Sequence, residues 1–498
     1  MHSNLDEIST QLLNCDICVV GTGPAGLSIV SKLLKINKKI ILLESGNLSD
    51  TGDHDFLNIG KSIGPRFLDV QSSRLRTFGG AGKLWAGVCR HFSLNDFERN
   101  NWPINYADFI PYYIDAYNLF GLNSNFNFEE SSNEKYFLYQ NLKELYKNDS
   151  FFNAKSFIQA SEKNRDLTNK FGNEIINSKN INLITNATAV DIKINPFGNA
   201  EKLEVFSINK NKLYISAKKF VLCMGALENC RFLMNSRTRK YINANSFGKG
   251  FMSHPGFSNI GKVYLNPKCL SKKNNNKINK KLKYFNTELK QEFINKEKIL
   301  GHGFSLKPVN IRNKLKNMQF NEIINNLNYV NVFENIKCNL QNEINIPKEW
   351  DVSIGIEQEF LKNNYLKQST AEKDIFNKPI LEVFWDNISK KEIKTIQIAN
   401  RYFARQVILS KLGVFELSEK IKNNSVFLEE DSINHHIGLT KMSKKNGEGV
   451  VDENLKLHNI QNLYVSGSCV FPSSASVNPT LTVSALSLRL ADHLINIV

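Results

Sequence analysis

A short glycine-rich turn near the N-terminus constrains the fold of this chain more than any other feature. The turn occupies residues 21–26 and reads GTGPAG. Residues 16–20, apolar after Asp16, precede it, and residues 27–34 follow with apolar side chains at helical spacing. This order predicts a buried strand, a tight turn and a helix whose free N–H groups and dipole favour a pyrophosphate.

A second stretch, residues 39–43, is apolar after Lys39 and is followed by Glu44. A carboxylate at this distance from the glycines would accept a hydrogen bond from a ribose hydroxyl, and it argues against a 2′-phosphate. Gly21, Gly23, Gly26 and Glu44 therefore predict a dinucleotide-binding βαβ unit. Two questions stay open at this point. The turn could be a packing turn without a ligand. NAD and FAD share this pattern, so the pattern does not decide between the two cofactors.

Another glycine-dense loop surrounds Trp85. Residues 74–87 read RLRTFGGAGKLWAG and include Gly79, Gly80 and Gly82. Glycine lets backbone approach a flat ligand closely, which suits a cofactor site. On its own, an ordinary cluster of turns is an equal alternative.

Several segments together resemble the glucose–methanol–choline (GMC) family of FAD-dependent oxidoreductases, and above all its bacterial sugar and polyol dehydrogenases and pyranose oxidases. The matching segments are residues 21–26 with Glu44, 79–85, 101–112, 223–229, 250–255, 434–442 and 470–482. Residues 262–425 carry no family motif. The resemblance implies an α/β fold with a discontinuous, Rossmann-like FAD-binding domain and a second α+β substrate-binding domain built on a β-sheet.

The first and last motifs lie at opposite ends of the chain, so the cofactor domain must be discontinuous. The length of 498 residues is enough for two or three folding units. We assign residues 1–105, 155–260 and 430–498 to the FAD-binding domain. Residues 106–154 and 261–429 are assigned to the substrate-binding domain.

The resemblance also implies which residues contact FAD. They are Gly21, Gly23, Gly26, Glu44, Gly79, Gly80, Gly82, Trp85, Val190, Gly225, Gly467, Ser468, Pro479 and Thr480. The backbone of Val190 is expected beside the adenine, whereas the turn at Gly225 is equally compatible with a plain strand–helix junction. Covalently flavinylated relatives carry a histidine before the tryptophan, and this chain has Leu84 there. We therefore expect non-covalent FAD.

By the same resemblance, His435 and Asn478 are the catalytic pair. Oxidation of an alcohol removes the hydroxyl proton while hydride leaves carbon, and a neutral imidazole has a pKa close to working pH. His435 can take that proton, and the uncharged amide of Asn478 can hold the oxygen. His436 is a rival base, but in an extended segment the two imidazoles point to opposite faces. Lys441 stands where arginine is common in the family, which puts a local bidentate contact in doubt.

Other patterns predict local structure. Residues 181–192 and 203–208 alternate as strands do. Residues 219–226 predict a buried strand that ends in a small-residue turn before a helix. The polar, Lys/Asn-rich stretch 271–283 predicts an exposed loop or mobile lid.

Charge and cysteine usage limit the partners. The net charge is +16, but Lys and Asn are spread along the chain without a nucleic-acid-binding motif, so compositional bias is the simpler explanation. The eight cysteines show no disulfide framework, and packing explains Cys15 and Cys18 better than a metal site. Reduced thiols and an N-terminus without a basic, apolar leader predict a cytoplasmic protein, and no stretch reaches membrane-spanning length.

The sequence therefore predicts FAD-dependent oxidation of an alcohol group on a sugar or sugar derivative, with hydride passing to flavin N5 and His435 as base. The resemblance favours a dehydrogenase with a quinone or protein acceptor over an oxidase. Two alternatives remain: a non-redox lyase of the same fold, and an inactive FAD-binding subunit that serves in assembly.

Overall fold

The computed structural model describes residues 1–122, 150–265, 282–309, 349–422 and 434–498. The strands in these residues are β1 His2–Asn4, β2 Leu12–Val20, β3 Ile40–Leu43, β4 Gly60–Ser62, β5 Val88–Cys89, β6 Phe152–Gln159, β7 Ile181–Thr185, β8 Thr188–Ile194, β9 Ala200–Phe206, β10 Lys212–Leu222, β11 Gly256–Leu265, β12 Leu282–Leu289, β13 His302–Pro308, β14 Glu349–Ile356, β15 Tyr365–Lys373, β16 Pro379–Phe384, β17 Gly413–Leu417 and β18 Leu463–Val465. The helices are α1 Pro24–Leu33, α2 Leu94–Arg99, α3 Tyr106–Leu119, α4 Glu162–Arg165, α5 Thr168–Asn177, α6 Ala226–Asn235, α7 Gln291–Glu297, α8 Lys390–Leu409, α9 Glu419–Lys422 and α10 Thr480–Ile497.

The first sheet has eight strands and contains the glycine turn. Its order is β1-β7-β3-β2-β10-β9-β8, and β18 pairs with the far end of β10. Strands β1, β7, β3, β2, β10 and β18 run parallel, while β9 and β8 extend the sheet in antiparallel fashion. Strand β3 is fully buried, as is the second half of β2, which parallel strands covered on both faces require. Helix α1 connects these two strands, and α10 packs against α1 and α3.

A second sheet of seven strands has the order β17-β11-β14-β13-β12-β6-β5, with every pairing antiparallel. Strand β14 alternates between buried and half-buried residues, so one face of the sheet is covered. Helix α8 packs on the sheet and starts with a capping box formed by Ser389 and Glu392. A three-stranded sheet, β15-β16-β4, completes the strands. The predicted fold class, a Rossmann-like α/β domain with a second sheet-based domain, is confirmed.

Two local predictions need correction. Residues 181–192, expected to form one strand, form β7 and β8, because Asn186 between them takes a left-handed conformation with φ of 54°. The predicted loop at 271–283 lies outside the described residues up to residue 281, but residues 282 and 283 already belong to β12. Residues 282 and 283 form a strand because β12 pairs with β6, and this long-range pairing cannot be read from the local composition.

The domain boundaries stay a prediction, but the two large sheets draw on different parts of the chain. The eight-stranded sheet takes its strands from residues 2–43, 181–222 and 463–465. The seven-stranded sheet takes its strands mostly from residues 152–159 and 256–417, with β5 at its edge. The chain therefore crosses repeatedly between the sheets.

We expect Phe403→Ala to destabilise the protein by about 3–5 kcal/mol through loss of buried aromatic packing. Phe403 is fully buried in α8 and stacks on Phe304 of β13, with the ring centroids 4.6 Å apart. Phe197→Ala is the matched control, because Phe197 is 84% exposed, and its effect should stay within about 0.5 kcal/mol. Denaturant unfolding measures both, and equal effects would contradict the packing of α8 on the sheet.

Candidate functional site

The first glycine turn combines tight packing with one open position. A Cβ on Gly21, whose φ is +101°, would lie 2.6 Å from the carbonyl oxygen of Cys223, and one on Gly26 would lie 1.9 Å from the carbonyl oxygen of Gly21. These glycines let β2, α1 and β10 approach closely. A Cβ on Gly23, by contrast, would meet no atom within 4 Å. Gly23 precedes α1, whose N-terminus has no side-chain cap, so its free N–H groups border open space suited to a phosphate.

The second glycine loop lies directly on the first. A Cβ on Gly80 would lie 3.1 Å from Cα of Gly23, and one on Gly82 would lie 3.3 Å from Cγ of Pro24. The backbone N–H of Gly79 donates to Oγ1 of Thr22 over 3.0 Å. The two loops that stand more than fifty residues apart in sequence thus form a single cradle.

Glu44 connects this cradle to the end of β3. Its carboxylate accepts hydrogen bonds from the Thr22 hydroxyl, from the Thr22 backbone N–H over 3.3 Å and from the Gly46 backbone N–H over 2.9 Å. Burial raises the pKa of Glu44, while these three donors and Arg76 act in the opposite direction. Glu44 therefore has a structural role in holding the glycine turn.

A buried ion cluster connects the second glycine loop to α6. The carboxylate of Glu228 accepts from Arg74 over 2.9 Å, from Arg76 over 3.1 Å and from Arg231 over 2.8 Å. Burial alone would raise the pKa of Glu228, but the three guanidinium groups hold it at about 2. The cluster fixes residues 74–76 against the helix that follows Gly225, and the sequence analysis did not identify it.

Val190 and Gly225 both lie at irregular backbone positions. Val190 is the extra residue of a β-bulge, because Ala189 and Asp191 of β8 pair with adjacent residues of β9. Two residues earlier, Thr188 contacts Ser45 at the end of β3, with 2.9 Å between the hydroxyl oxygens. Gly225 precedes α6 with φ of +82°, and a Cβ there would meet no atom within 4 Å. Val190 thus lies near the Glu44 end of the cradle, and Gly225 borders open space as Gly23 does.

Trp85 is held by protein contacts. Its indole N–H donates to the carbonyl oxygen of Arg165 over 2.9 Å. Its ring packs edge-on against Phe120, with 5.0 Å between centroids. These contacts give Trp85 a packing role between α3 and α4, and a contact with FAD remains a prediction.

The segment that carries His435 is fixed from two sides. Ile437 pairs with Met252 through two backbone hydrogen bonds, of 2.9 and 3.0 Å. On its other side the Gly438 N–H donates to the carbonyl oxygen of Ser468 over 3.0 Å, and the Ser468 hydroxyl donates to that of His436 over 2.5 Å. The residues after β18 therefore hold this segment in place.

The antiparallel pairing of Met252 with Ile437, continued by two residues, sets His254 opposite His435. Their Nδ1 atoms are 2.8 Å apart, and the rings meet edge-on at 85°. Burial lowers the pKa of His435 well below its usual range, and the adjacent His254 and His436 rings add to the effect. Burial also lowers the pKa of His254 to about 4. Both imidazoles are therefore neutral near pH 7.

His436 points away from this pair, as expected for an extended segment. Its ring packs against Phe251, with 6.2 Å between centroids, and burial lowers its pKa to about 3. Its Nε2 is buried without a hydrogen-bond partner among the described residues. Lys441 places its ammonium over the ring of Phe360, 5.0 Å from the centroid, in a cation–π contact.

Asn478 lies in the loop between β18 and α10, which is anchored at several points. The Trp102 indole N–H donates to the Ser473 hydroxyl over 3.1 Å, and the Tyr113 and Thr482 hydroxyls are 3.0 Å apart. The Asn478 side chain is partly buried and makes no hydrogen bond within the described parts of the chain. Its amide is therefore available to a ligand.

Pro479 and Thr480 begin α10, whose N-terminus has no side-chain cap. Gly467, with φ of +142°, and Ser468 lie two and three residues after the end of β18. The loop, the helix start and the His435 segment thus converge at the carboxyl end of the eight-stranded sheet, where ligands of open α/β folds bind.

Sequence reasoning did not assign a role to His254, although it identified the 250–255 segment. It also missed Lys155, which is buried and donates to Glu288 over 3.0 Å and to Ser476 over 2.6 Å. The signal for His254 was a histidine inside a family motif, whereas Lys155 lies in a strand without a motif. Both side chains contact residues 474–476, which precede Asn478 by two to four positions.

The described residues hold no group of His, Cys, Asp and Glu side chains arranged to bind a metal ion. Within them, no helix is long and apolar enough to span a membrane. Cys15, Cys18, Cys89, Cys223, Cys230 and Cys469 are free thiols, and Cys269 and Cys338 lie outside the described residues.

Comparison with known proteins agrees with this geometry. Residues 365–487 match the model of the GMC oxidoreductase family. A 136-residue segment is 28% identical to the fructose dehydrogenase large subunit of Gluconobacter japonicus, and it spans 27% of this chain but only 23% of that relative. The structure is similar to a formate oxidase variant from Aspergillus oryzae RIB40 studied for FAD modification, with a TM-score of 0.60 and 14% identity over 98% of this chain and 99% of that one. It is also similar to pyridoxine 4-oxidase from Mesorbium loti, with a TM-score of 0.59 and 15% identity over 96% and 99% of the two chains.

These matches confirm the predicted resemblance to the GMC oxidoreductases and their fold, and FAD is the cofactor that this resemblance predicts. The residues present fit that group, because the cradle offers uncapped helix amides beside two glycines whose missing side chains leave open space.

Gly23→Ala should weaken FAD binding at least about tenfold without destabilising the apoprotein. The backbone of Gly23, with φ of −65°, accepts alanine, and the new methyl group meets no protein atom within 4 Å. It can therefore clash only with a ligand. Flavin fluorescence titration measures the affinity. Gly355→Ala is the matched control, since a Cβ at Gly355 in β14 also meets nothing within 4 Å; equal FAD affinity in the two variants would contradict the site.

Proposed function

We propose that this protein is an FAD-dependent oxidoreductase that oxidises a CH–OH group of a polyhydroxylated substrate such as a sugar. The observation that carries the proposal is the half-buried imidazole of His435, which contacts His254 through Nδ1 and makes no hydrogen bond through Nε2 within the described residues. Desolvation lowers its pKa, and its segment is held against the residues that follow β18. Bound FAD would supply the hydride acceptor, N5 of the flavin. The protein supplies binding, orientation and a place for the proton.

Glu44 is suited to hold the ribose. A carboxylate has about four lone-pair positions, and three of those on Glu44 are taken by Thr22 and Gly46. The remaining position, on Oε1, is enough for one ribose hydroxyl. The free amides at the starts of α1 and α10 favour the negative charge of the cofactor.

Leu84 supports non-covalent binding of FAD. It stands before Trp85, where flavinylated relatives carry a histidine, and its side chain is 60% exposed. An aliphatic side chain has no nucleophile for a bond to the flavin. Trichloroacetic acid precipitation checks this point, because non-covalent flavin leaves the pellet.

His435 and Asn478 divide the work at the substrate hydroxyl. The pKa of His435 is lowered by burial, so its neutral form is ready to accept a proton near pH 7. Asn478 can donate an amide N–H to the developing alkoxide without competing for the proton. Reaction therefore transfers the hydroxyl proton to His435 as hydride leaves the carbinol carbon.

A polar cluster beside this pair supports a hydroxyl-rich substrate. Lys155 and Ser476 both bond Oε1 of Glu288, and Oε2 of Glu288 accepts no hydrogen bond from the described residues. The Glu288 side chain remains 24% exposed. A carboxylate oxygen without a protein donor accepts hydrogen bonds from sugar hydroxyls better than it accommodates an aliphatic chain.

The test is anaerobic flavin reduction with a panel of sugars, polyols, formate and pyridoxine, followed by absorbance. The proposal expects bleaching by at least one polyhydroxylated alcohol, then reoxidation faster with a quinone than with oxygen. A protein that binds FAD but is not bleached by any alcohol would favour the lyase or the assembly subunit.

His435→Ala should slow flavin reduction by roughly 10²–10⁴-fold, the usual contribution of one general base, while FAD stays bound. Asn478→Ala should slow it less. His436→Ala is the matched control, because that ring packs against Phe251. Stopped-flow measurement of flavin reduction tests the assignment of His435 as the base. A larger loss of rate in His436→Ala than in His435→Ala would identify His436 as the base instead.

The rate of flavin reduction should be independent of pH from about 6.5 to 8, because the pKa of His435 lies well below its ordinary value of 6.5. The base is neutral above its pKa and protonated below it, so the rate should fall only in more acidic solution. Stopped-flow rates across this range measure the profile. An inflection at or above pH 6.5 that His435→Ala abolishes would contradict a desolvated His435.

A further inference from the structure

We infer that His254 is a positioning residue that fixes the hydrogen of His435 on Nδ1 and so leaves Nε2 of His435 as the proton acceptor. The inference rests on the proposed function for the reaction that uses this nitrogen. The hydrogen-bond pattern that carries it does not depend on the substrate.

The pattern starts at the backbone of the Asn478 loop. Nε2 of His254 lies 3.0 Å from the carbonyl oxygen of Ser474 and 2.9 Å from that of Ala475. Carbonyl oxygens only accept, so this nitrogen must carry a hydrogen. A neutral imidazole carries one ring hydrogen, and Nδ1 of His254 is therefore a bare acceptor.

The hydrogen bond between the two histidines then determines which nitrogen of His435 carries a hydrogen. Nδ1 of His435 is 2.8 Å from Nδ1 of His254. Because the His254 nitrogen is bare, the hydrogen between them belongs to His435. Neutral His435 then has its lone pair on Nε2, and its only hydrogen bond within the described residues is the one through Nδ1.

The opposite arrangement is unfavourable. With its hydrogen on Nε2, His435 would direct a second lone pair at His254 over 2.8 Å. A doubly protonated His254 would relieve this contact, but burial lowers its pKa to about 4, and nearby Lys155 acts in the same direction. Loss of the bond would leave a buried acceptor on His254 without a donor.

Backbone structure holds the two rings in this register. The Met252–Ile437 pairing lies two residues from each histidine, and His254 is only 7% exposed. A side chain locked by packing and by hydrogen bonds keeps its partner within the narrow geometry that proton transfer needs.

The test compares three variants that separate the two nitrogens of His254. Asparagine places an amide oxygen near the position of Nδ1, glutamine replaces only the Nε2 side, and leucine keeps the bulk with neither. We expect His254→Asn to retain most of the flavin-reduction rate, and His254→Gln and His254→Leu to lose about 10–100-fold, as for other residues that orient a ligand or base. A packing role alone would instead favour leucine over asparagine.

The second readout needs no substrate. Long-range ¹H–¹⁵N correlation spectra of FAD-loaded protein labelled in its nine histidines show which nitrogen carries each hydrogen, with His435→Asn used for assignment. We expect the hydrogen on Nδ1 of His435 in the wild type and in His254→Asn. In the other two variants we expect a larger share of the His435 tautomer with its hydrogen on Nε2. Hydrogen on Nε2 of His435 in the wild type, or the same pattern in all three variants, would overturn it. If no alcohol reduces the flavin, the proposed function is contradicted, but the position of the hydrogen on His435 is still determined.

Discussion

Strand β10 holds the two ends of the chain in one sheet, and the candidate site depends on that pairing. Along one edge β10 pairs with β2, and along the other its last three residues pair with β18. Both neighbours run parallel to β10, so all three strands end on the same side. The glycine turn after β2, the turn at Gly225 and the backbone at Gly467 therefore meet at one edge, although hundreds of residues separate them.

The same edge organises the catalytic segment. Ser468, three residues after the end of β18, accepts a hydrogen bond from Gly438, while Met252 pairs with Ile437 on the other side. Backbone hydrogen bonds thus hold the segment of His435, and the contact with His254 orients its ring. Desolvation at this position lowers the pKa of His435, so its imidazole is neutral near pH 7, which is the protonation state a general base requires.

How much the sequence predicts depends on how local each interaction is. The turn at residues 21–26, Glu44 and the buried strands around them follow from patterns within about thirty residues, and they were predicted. The contact between His254 and His435 joins residues 181 positions apart. No periodicity links them, because the register comes from the bridge between Met252 and Ile437. The split of residues 181–192 into two strands likewise depends on Asn186, whose left-handed backbone is stabilised by contacts with Asn4, Asp6 and His54.

The central claim is that the site oxidises a CH–OH group by hydride transfer. The most direct measurement is the rate of anaerobic flavin reduction with a reducing polyol and with the same polyol deuterated at the carbinol carbon. The account predicts slower bleaching with the deuterated substrate, because the C–H bond breaks in the step that reduces the flavin. Bleaching at equal rates when binding and release are shown to be fast, or no bleaching with any alcohol, would contradict it.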